Sequence, residues 1–344
     1  MSETRRSSEL DGAARLAASA RARLAAAVAD LRLVERARLT EWQRRTIRAL
    51  LDRLIGSVED DLRSALVTRL PAADHDAARA ALSSARIEIA RPLLDDAAPW
   101  EPALIALLLR RAEEHRLQMG TADNSLLVEL SGSDNEVVAS EAMALLVAQS
   151  RRLDSFREPL LLRTELPAEL EHGLVWIVAA SLRAYLVETH DVPASTADAA
   201  LADAAADLLA RYDEGETFAA LALRLVRSLD AAGRLDDRTV ARMPGEAGMP
   251  LLLAALCVRT GVSADACWEL IADPATRGAV LLLRAAGFSR EAAGSILFAF
   301  HGDGESVVTE FERFDGIDSA DAAALLTLWR ADPAYRAAVA SLAA

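Results

Sequence analysis

The chain contains no lysine, so all 38 of its basic residues are arginine. It also has only two cysteines, five histidines and an aromatic share of 4%. Each shortage excludes something. Cys257 and Cys267 are too few for a disulfide framework, and both lie in apolar helical runs, so they read as reduced core residues. None of the histidines forms an HExxH, a close pair or a Cys/His spacing suited to zinc. A Walker A loop and a GxSxG are both lacking, and a dinucleotide fingerprint would have no strands around it. No apolar run reaches the roughly 18 residues needed to span a bilayer. The first ten residues carry charges but no apolar stretch, so they do not read as a signal peptide. The β-branched and aromatic residues that strands favour are scarce.

What is present is alanine and leucine, which supply most of a 52% hydrophobic share. These residues lose least on entering a helix. The length of 344 residues suits two or three domains or one long repeat array. The net charge of −14 opposes a general attraction to phosphate backbones, so nucleic acid is not an expected partner. The charge is uneven: residues 5–53 are Arg-rich, and the chain beyond Asp191 is acidic. Such a surface can attract a basic partner, or the N-terminal region of a second copy.

Residues 1–12 show no apolar period and read as disordered. From residue 13 to 39, Leu16, Leu24, Val28, Leu31 and Val34 form one amphipathic stripe. Thr40 reads as an N-cap, followed by a helix over 41–55 with Trp42, Ile47, Leu50, Leu51 and Leu54 on one face. Short helices are predicted over 58–70, 74–83, 86–94, 102–110, 111–119, 124–130, 135–149 and 155–162. A longer one over 168–188 ends at the break 190–193. Helices over 196–212 and 217–232 follow, then a loop over 243–250. In the last hundred residues Gly261-Val262-Ser263 recurs as Gly287-Phe288-Ser289, and more loosely as Gly316-Ile317-Asp318. Glycine ends one helix left-handed, the apolar residue packs back, and the polar one caps the next helix. The expected fold is all-α: a tail and amphipathic helix (1–39), HEAT-like helical repeats forming an α-solenoid (40–190), and a C-terminal helical hairpin domain (191–344).

Three stretches resemble the domain-of-unknown-function 2336 family of alphaproteobacteria. They are EWQRRTIRALLDRLI from Glu41 with VEDDLRSAL from Val58, IEIARPLL from Ile87 with EHRL from Glu114, and LLLRAAGFSRE from Leu281. The likeness spans roughly residues 40 to 330. It implies HEAT-like repeats and no established activity.

Candidate chemistry is sparse. In Glu113-Glu114-His115-Arg116 the histidine could serve as a base oriented by a carboxylate, or simply bond a neighbouring turn. The loop from His301 to Ser306 offers Asp303 and Glu305 to a divalent ion but lacks the ligand array of an EF-hand. Residues 252–270 have the spacing of a DNA-binding helix-turn-helix, yet the second helix carries Asp265 and Glu269, the wrong sign for a reading head. Arg44, Arg45 and Arg48, with Arg53, make a small basic face. No catalytic, cofactor or metal residues are assigned. Arg44, Arg45, Arg48, His115 and Arg116 are the candidate contacts to an anion or a partner. The leading expectation is a cytoplasmic adaptor or regulator that binds another protein, with a homodimer through the N-terminal helix as a further possibility. The second is a sensor of a small anionic ligand, such as a nucleotide messenger, held by Arg in a concave groove. The third is a nucleic-acid-acting HEAT-like enzyme, which needs a basic concave surface that this acidic chain lacks. A groove of converging Arg favours the sensor; an apolar groove rimmed by acids favours the adaptor.

A stripe such as that of residues 13–39 must be buried, as a cap on the repeats or against another chain. Deletion of residues 1–39 is expected either to lower the melting temperature of a monomer or to convert a dimer to a monomer. Light scattering with thermal melting distinguishes these outcomes, and no change in either measurement rejects both.

Overall fold

Thr40 opens the first helix with a reciprocal cap. Its hydroxyl accepts from the Gln43 amide at 3.1 Å, and the Gln43 side chain accepts from the Thr40 amide at 2.7 Å. Two of the donors that a helix start leaves unpaired are thereby satisfied. The computed structural model describes residues 38–84, 88–94, 100–118, 123–272, 277–301 and 304–343. The chain divides into two units, Met1–Arg44 and Arg45–Ala344. The stripe over residues 13–37 lies outside the described residues.

Among the described residues there are sixteen α-helices and no strand, so the all-α expectation holds. Several expected boundaries do not. Helix α1 runs unbroken over Glu41–Arg69 rather than as two helices. Ile47, Leu50, Leu51, Leu54, Val58, Leu62 and Leu66 stay in phase across Gly56, and all are buried. That continuous stripe outweighs the ~1 kcal/mol a mid-helix glycine costs. Two charged residues share the buried face. The Glu59 carboxylate accepts from the amides of Ile89 (2.9 Å) and Ala90 (2.8 Å) and from Arg63 (3.0 Å). Arg63 also donates to the Leu82 carbonyl at 2.7 Å, closing the end of helix α2 (Ala72–Leu82). Of the helix expected over 86–94, Arg91–Leu94 forms a single 3₁₀ turn, and residues 85–87 lie outside the described residues.

Helix α3 (Pro102–Gln118) likewise replaces two expected helices. Helices α4 (Ser125–Ser131) and α5 (Glu136–Ser150) follow as expected, the second capped by the Asn135 side chain. The helix expected over 155–162 is absent. Asp154 accepts from the amides of Phe156 (2.8 Å) and Glu158 (2.9 Å), and Leu153 and Pro159 form an isolated bridge. A side chain that satisfies nearby amides competes with helix formation, and proline cannot donate to a helix.

Helices α6 (Ala168–His190) and α7 (Ala194–Leu209) pack on each other, and α6 also meets α2. By length and composition α6 could cross a membrane, as could the bent pair of helices over Met249–Thr260 and Ala264–Ile271, contrary to the reading that no run is long enough. Yet α6 buries Leu174, Val178, Leu182 and Leu186 within the chain and carries Arg183 in its middle. The break at 190–193 is a tight turn with Asp191 left-handed. It does not partition the core. One buried apolar cluster joins α4 and α5 with α8 (Phe218–Ala231), α9 (Asp237–Glu246), α10 (Met249–Thr260), α11 (Ala264–Ile271), α12 (Arg277–Ala285) and α13 (Arg290–His301). The expected loop at 243–250 shrinks to Ala247-Gly248, because α9 continues through Pro244 with Val240, Met243 and Pro244 buried.

From Met249 to Leu256 every residue of α10 is apolar and buried, as in a helix at the centre of a core. It touches α3, α8, α9, α11 and α12. The glycine turns around it take the expected form. Gly261 and Gly287 have φ of +71° and +75°, and Val262 and Phe288 are buried behind them. Ser263 and Ser289 accept from the amides of Ala266 and Ala292, each at 3.3 Å. In the third copy Asp318 caps Ala320 at 2.7 Å, opening α15 (Ser319–Leu325) after α14 (Gly304–Asp315). Gly316 is not among the left-handed residues. The chain closes with α16 (Pro333–Ala343).

Ser263→Ala and Ser289→Ala are each expected to cost about 0.5–2 kcal/mol. Gly261→Val and Gly287→Val should cost more, since a β-branched residue is strained at positive φ. Urea unfolding of the four variants tests this; four unchanged midpoints would show that these turns do not limit stability.

Candidate functional site

The C-terminal half of α3 repeats the spacing of a buried helix face, but with charge on it. Leu104, Leu108, Arg111 and His115 are all buried, and the first three lie along one stripe at i, i+4 and i+7. Arg111 is held by carbonyls of the segment after α5, donating to Leu160 at 2.9 Å and to Arg152 at 2.6 Å. Its remaining nitrogen, Nη1, is buried with no partner. Burial first, then the charge of Arg152, pushes Arg111 down to about 9.

Arg152 is the centre of the arrangement. It donates to Glu165 at 2.9 Å and to Glu114 at 3.0 Å, and its guanidinium lies 4.2 Å from the Phe218 ring centroid. Arg110 gives Glu114 a second ion pair at 2.9 Å and reaches Asp265 on α11 at 2.6 Å. Burial would raise the Glu114 carboxyl, but Arg152, Arg110 and Arg111 together hold it below the usual carboxylate range.

These groups floor a groove of about 590 Å³. Its walls come from the starts of α6 and α8, the turn after α7, and one face of α11, which contribute Leu170, Phe218, Tyr212 and Trp268. Tyr212 is fixed by a hydrogen bond from its hydroxyl to the Leu166 carbonyl at 3.1 Å. Burial raises its pKa first, and Glu214, Glu171, Glu169 and Asp213 raise it further. The lip is acidic: Glu214 is exposed, the Asp265 side chain is 86% exposed and that of Glu269 is 52% exposed.

None of the five candidate contacts, Arg44, Arg45, Arg48, His115 and Arg116, lines this groove. Arg44, Arg45 and Arg48 are exposed in the first two turns of α1. Arg53 does not extend that face toward a ligand; it pairs with Asp154 at 3.0 Å and donates to the Pro159 carbonyl at 2.9 Å. His115 is buried, and burial, with Arg111 adding, lowers its pKa. Arg116 is exposed and paired with Glu113 at 2.7 Å. Asp303 and the Glu305 side chain lie outside the described residues. The helix-turn-helix candidate comprises α10 and α11, bent by 109°, and it turns Asp265 and Glu269 toward the groove. Cys257 and Cys267 are free thiols, and burial pushes Cys267 up to about 12. Among the described residues no group of His, Cys, Asp and Glu could hold a metal.

Sequence reasoning missed Arg110, Arg111, the place of Glu114 in the groove (it was named only in the cluster around His115), Arg152 and Glu165. A signal existed for the first three: the Leu104/Leu108 stripe continues onto Arg111, and Arg110 and Glu114 are an i, i+4 pair. Arg152 lies in the turn after α5 and Glu165 ends the short 3₁₀ turn Arg163–Glu165, and neither piece is long enough to show a period.

The fold and the site thus define an all-α protein with a charged-floored, partly aromatic groove. The chain belongs to the domain-of-unknown-function 2336 family, described as uncharacterised proteins conserved in bacteria, whose model matches residues 119–322. That match includes Arg152, Glu165, Tyr212 and the α11 lip, and the LLLRAAGFSRE stretch. The Glu41, Val58, Ile87 and Glu114 stretches precede it. No curated protein and no solved structure matches the chain.

Arg152→Met should destabilise the protein by about 3–5 kcal/mol at pH 7, since it strips a partner from two carboxylates in the interior. Glu114 has a depressed folded pKa, so its contribution is complete above its unfolded value and is lost as pH falls through the folded one. The deficit of the variant should therefore narrow in acid. Urea unfolding of both proteins at pH 7 and pH 4 reads this; a deficit below about 1 kcal/mol at pH 7 would rule out a buried ion network.

Proposed function

We propose that this protein is a cytoplasmic adaptor or regulator whose groove binds a segment of another protein. The observation that carries the reading is the division of labour in the groove. Its arginines are engaged below, by Glu114, Glu165, Asp265 and backbone carbonyls, while apolar and aromatic walls and exposed carboxylates remain available above. Grooves with a few apolar anchors and a polar rim suit peptide and helix recognition. HEAT-like stacking of the helix pairs, with α4/α5 and α6/α7 as units, is the arrangement we assign to the family, and stacked pairs present such grooves. A homodimer through the N-terminal helix belongs to the same reading. We assign the groove a binding role and no catalytic step.

A second reading retains one observation. Arg111 Nη1 has no partner, and Arg110, Arg111 and Arg152 converge on the floor, which suits a small anionic ligand. Five carboxylates line the same space and oppose it.

A photo-crosslinking residue placed at Ala106 or Ala219, both exposed in the groove, should trap a protein in the native cell. The same residue at Ser140, exposed on α5, should not. Equal trapping at all three sites, or none at the groove sites, would remove the adaptor reading.

A further inference from the structure

The charges facing this groove differ in accessibility, and the difference specifies its occupant. Arg111 and Arg152 are buried, and the Arg110 side chain is only 13% exposed. The carboxylates on the lip are the charges an incoming molecule meets first. Two of these are Asp265 and Glu269 on α11. Glu214, in the turn beside Tyr212, is another, and Asp213 and Glu169 add negative charge that raises the tyrosine pKa. Among the described residues Glu169, Asp213 and Glu214 make no ion pair. Asp265 does pair with Arg110 and Glu269 with Arg336, but both remain more than half exposed. The same space is lined by Leu107, Leu170, Tyr212 and Trp268.

On the reading that the groove binds a protein, we infer that it takes a cationic amphipathic segment of a partner. The apolar side chains of that segment would pack on Leu107, Leu170, Tyr212 and Trp268, and its Arg or Lys side chains would meet Glu214, Asp265 and Glu269. Two arguments carry this beyond the presence of a groove. The first is charge complementarity: an acidic segment would face the exposed carboxylates while the arginines that could answer it are committed below. The second is the chain's own chemistry. Among the described residues six guanidinium groups lie over aromatic rings, including Arg110 at 6.0 Å from the Trp268 centroid and Arg336 at 4.8 Å from the Trp329 centroid. Arg110, Arg152, Arg259, Arg290 and Arg336 each combine a ring face with a carboxylate partner. The groove offers the same pair of features, ring and carboxylate, to a cation from outside. A cavity of about 590 Å³ holds several side chains, as an i, i+4, i+7 ladder of anchors requires.

The test uses the full chain and three fluorescein-labelled peptides of about 18 residues, a length of five helical turns. One is an amphipathic sequence of Leu, Trp and Arg. The second has every Arg replaced by Glu, and the third has its apolar residues replaced by Ser. Fluorescence anisotropy should show binding of the first alone, at least tenfold weaker when salt rises from about 50 to about 300 mM, as attraction between exposed charges predicts. The combined variant Glu214→Gln, Asp265→Asn and Glu269→Gln should weaken binding at least tenfold, and the groove-filling variant Ala219→Trp should abolish it. Melting curves confirm that each variant folds, and Glu214→Gln, an exposed single change, should show the loss in smaller degree. If the Glu peptide binds instead and Ala219→Trp blocks it, the partner chemistry is overturned and the groove remains a protein-binding site. If Ala219→Trp leaves binding unchanged, or no peptide binds, both the inference and the adaptor reading fall. Conversion of a dimer to a monomer by Ala219→Trp in light scattering would make the occupant a second copy and overturn the inference in favour of self-association.

Discussion

A guanidinium shared between two carboxylates is the constraint on which the groove depends. Arg152 follows α5 in a segment with no regular structure, yet it is buried and bonded to Glu114 on α3 and to Glu165 just before α6. Three pieces of chain that are remote in sequence are therefore held at one charge. Arg111 secures the same segment from below through two carbonyls. A buried ion pair of this kind contributes little net stability compared with apolar packing, but losing one partner leaves a charge that the interior cannot solvate. The arrangement thus acts more as a locator than as glue: it fixes where α3, α6 and α8 stand around the open space.

The absence of lysine gives this chemistry its form. A guanidinium is planar, offers five donors and stacks on rings, so it can serve a carboxylate, a carbonyl and an aromatic face together. Arg152 does all but one of these at once through Glu114, Glu165 and Phe218. Arg259 repeats the pattern, with Asp237 at 2.7 Å, the Leu235 carbonyl at 2.7 Å and the Phe288 ring at 4.2 Å. Asp237 in turn accepts from the Ser289 amide at 2.8 Å, which ties a glycine turn to an earlier helix, α9. In a protein with few aromatic residues, these arginine junctions supply the side-chain specificity that a core of Leu and Ala, alike in shape at many positions, cannot.

Local features of the sequence reported local structure well. The Ala/Leu stripes required helices, the Thr40, Ser263 and Ser289 caps appear where the spacing placed them, and Gly261 and Gly287 are left-handed. Boundaries failed where a long-range contact outweighed a local signal. Gly56 did not break α1, because the buried stripe on either side of it remains in phase. Pro244 did not end α9, because Met243 and Pro244 are buried together. Residues 155–162 did not form a helix, because Asp154 took their amides.

The sequence by itself determined an all-α chain, its turn chemistry and the acidity of its surface, since these follow from propensity, period and charge within a few residues. Only the tertiary structure decided which charges are buried and which are offered. Arg44 and Arg111 look alike as letters, yet one lies exposed near the start of α1 and the other is sealed under a groove. Exposure depends on what distant elements cover, and here the covering segments, around Arg152 and Tyr212, are irregular pieces that no periodicity announces.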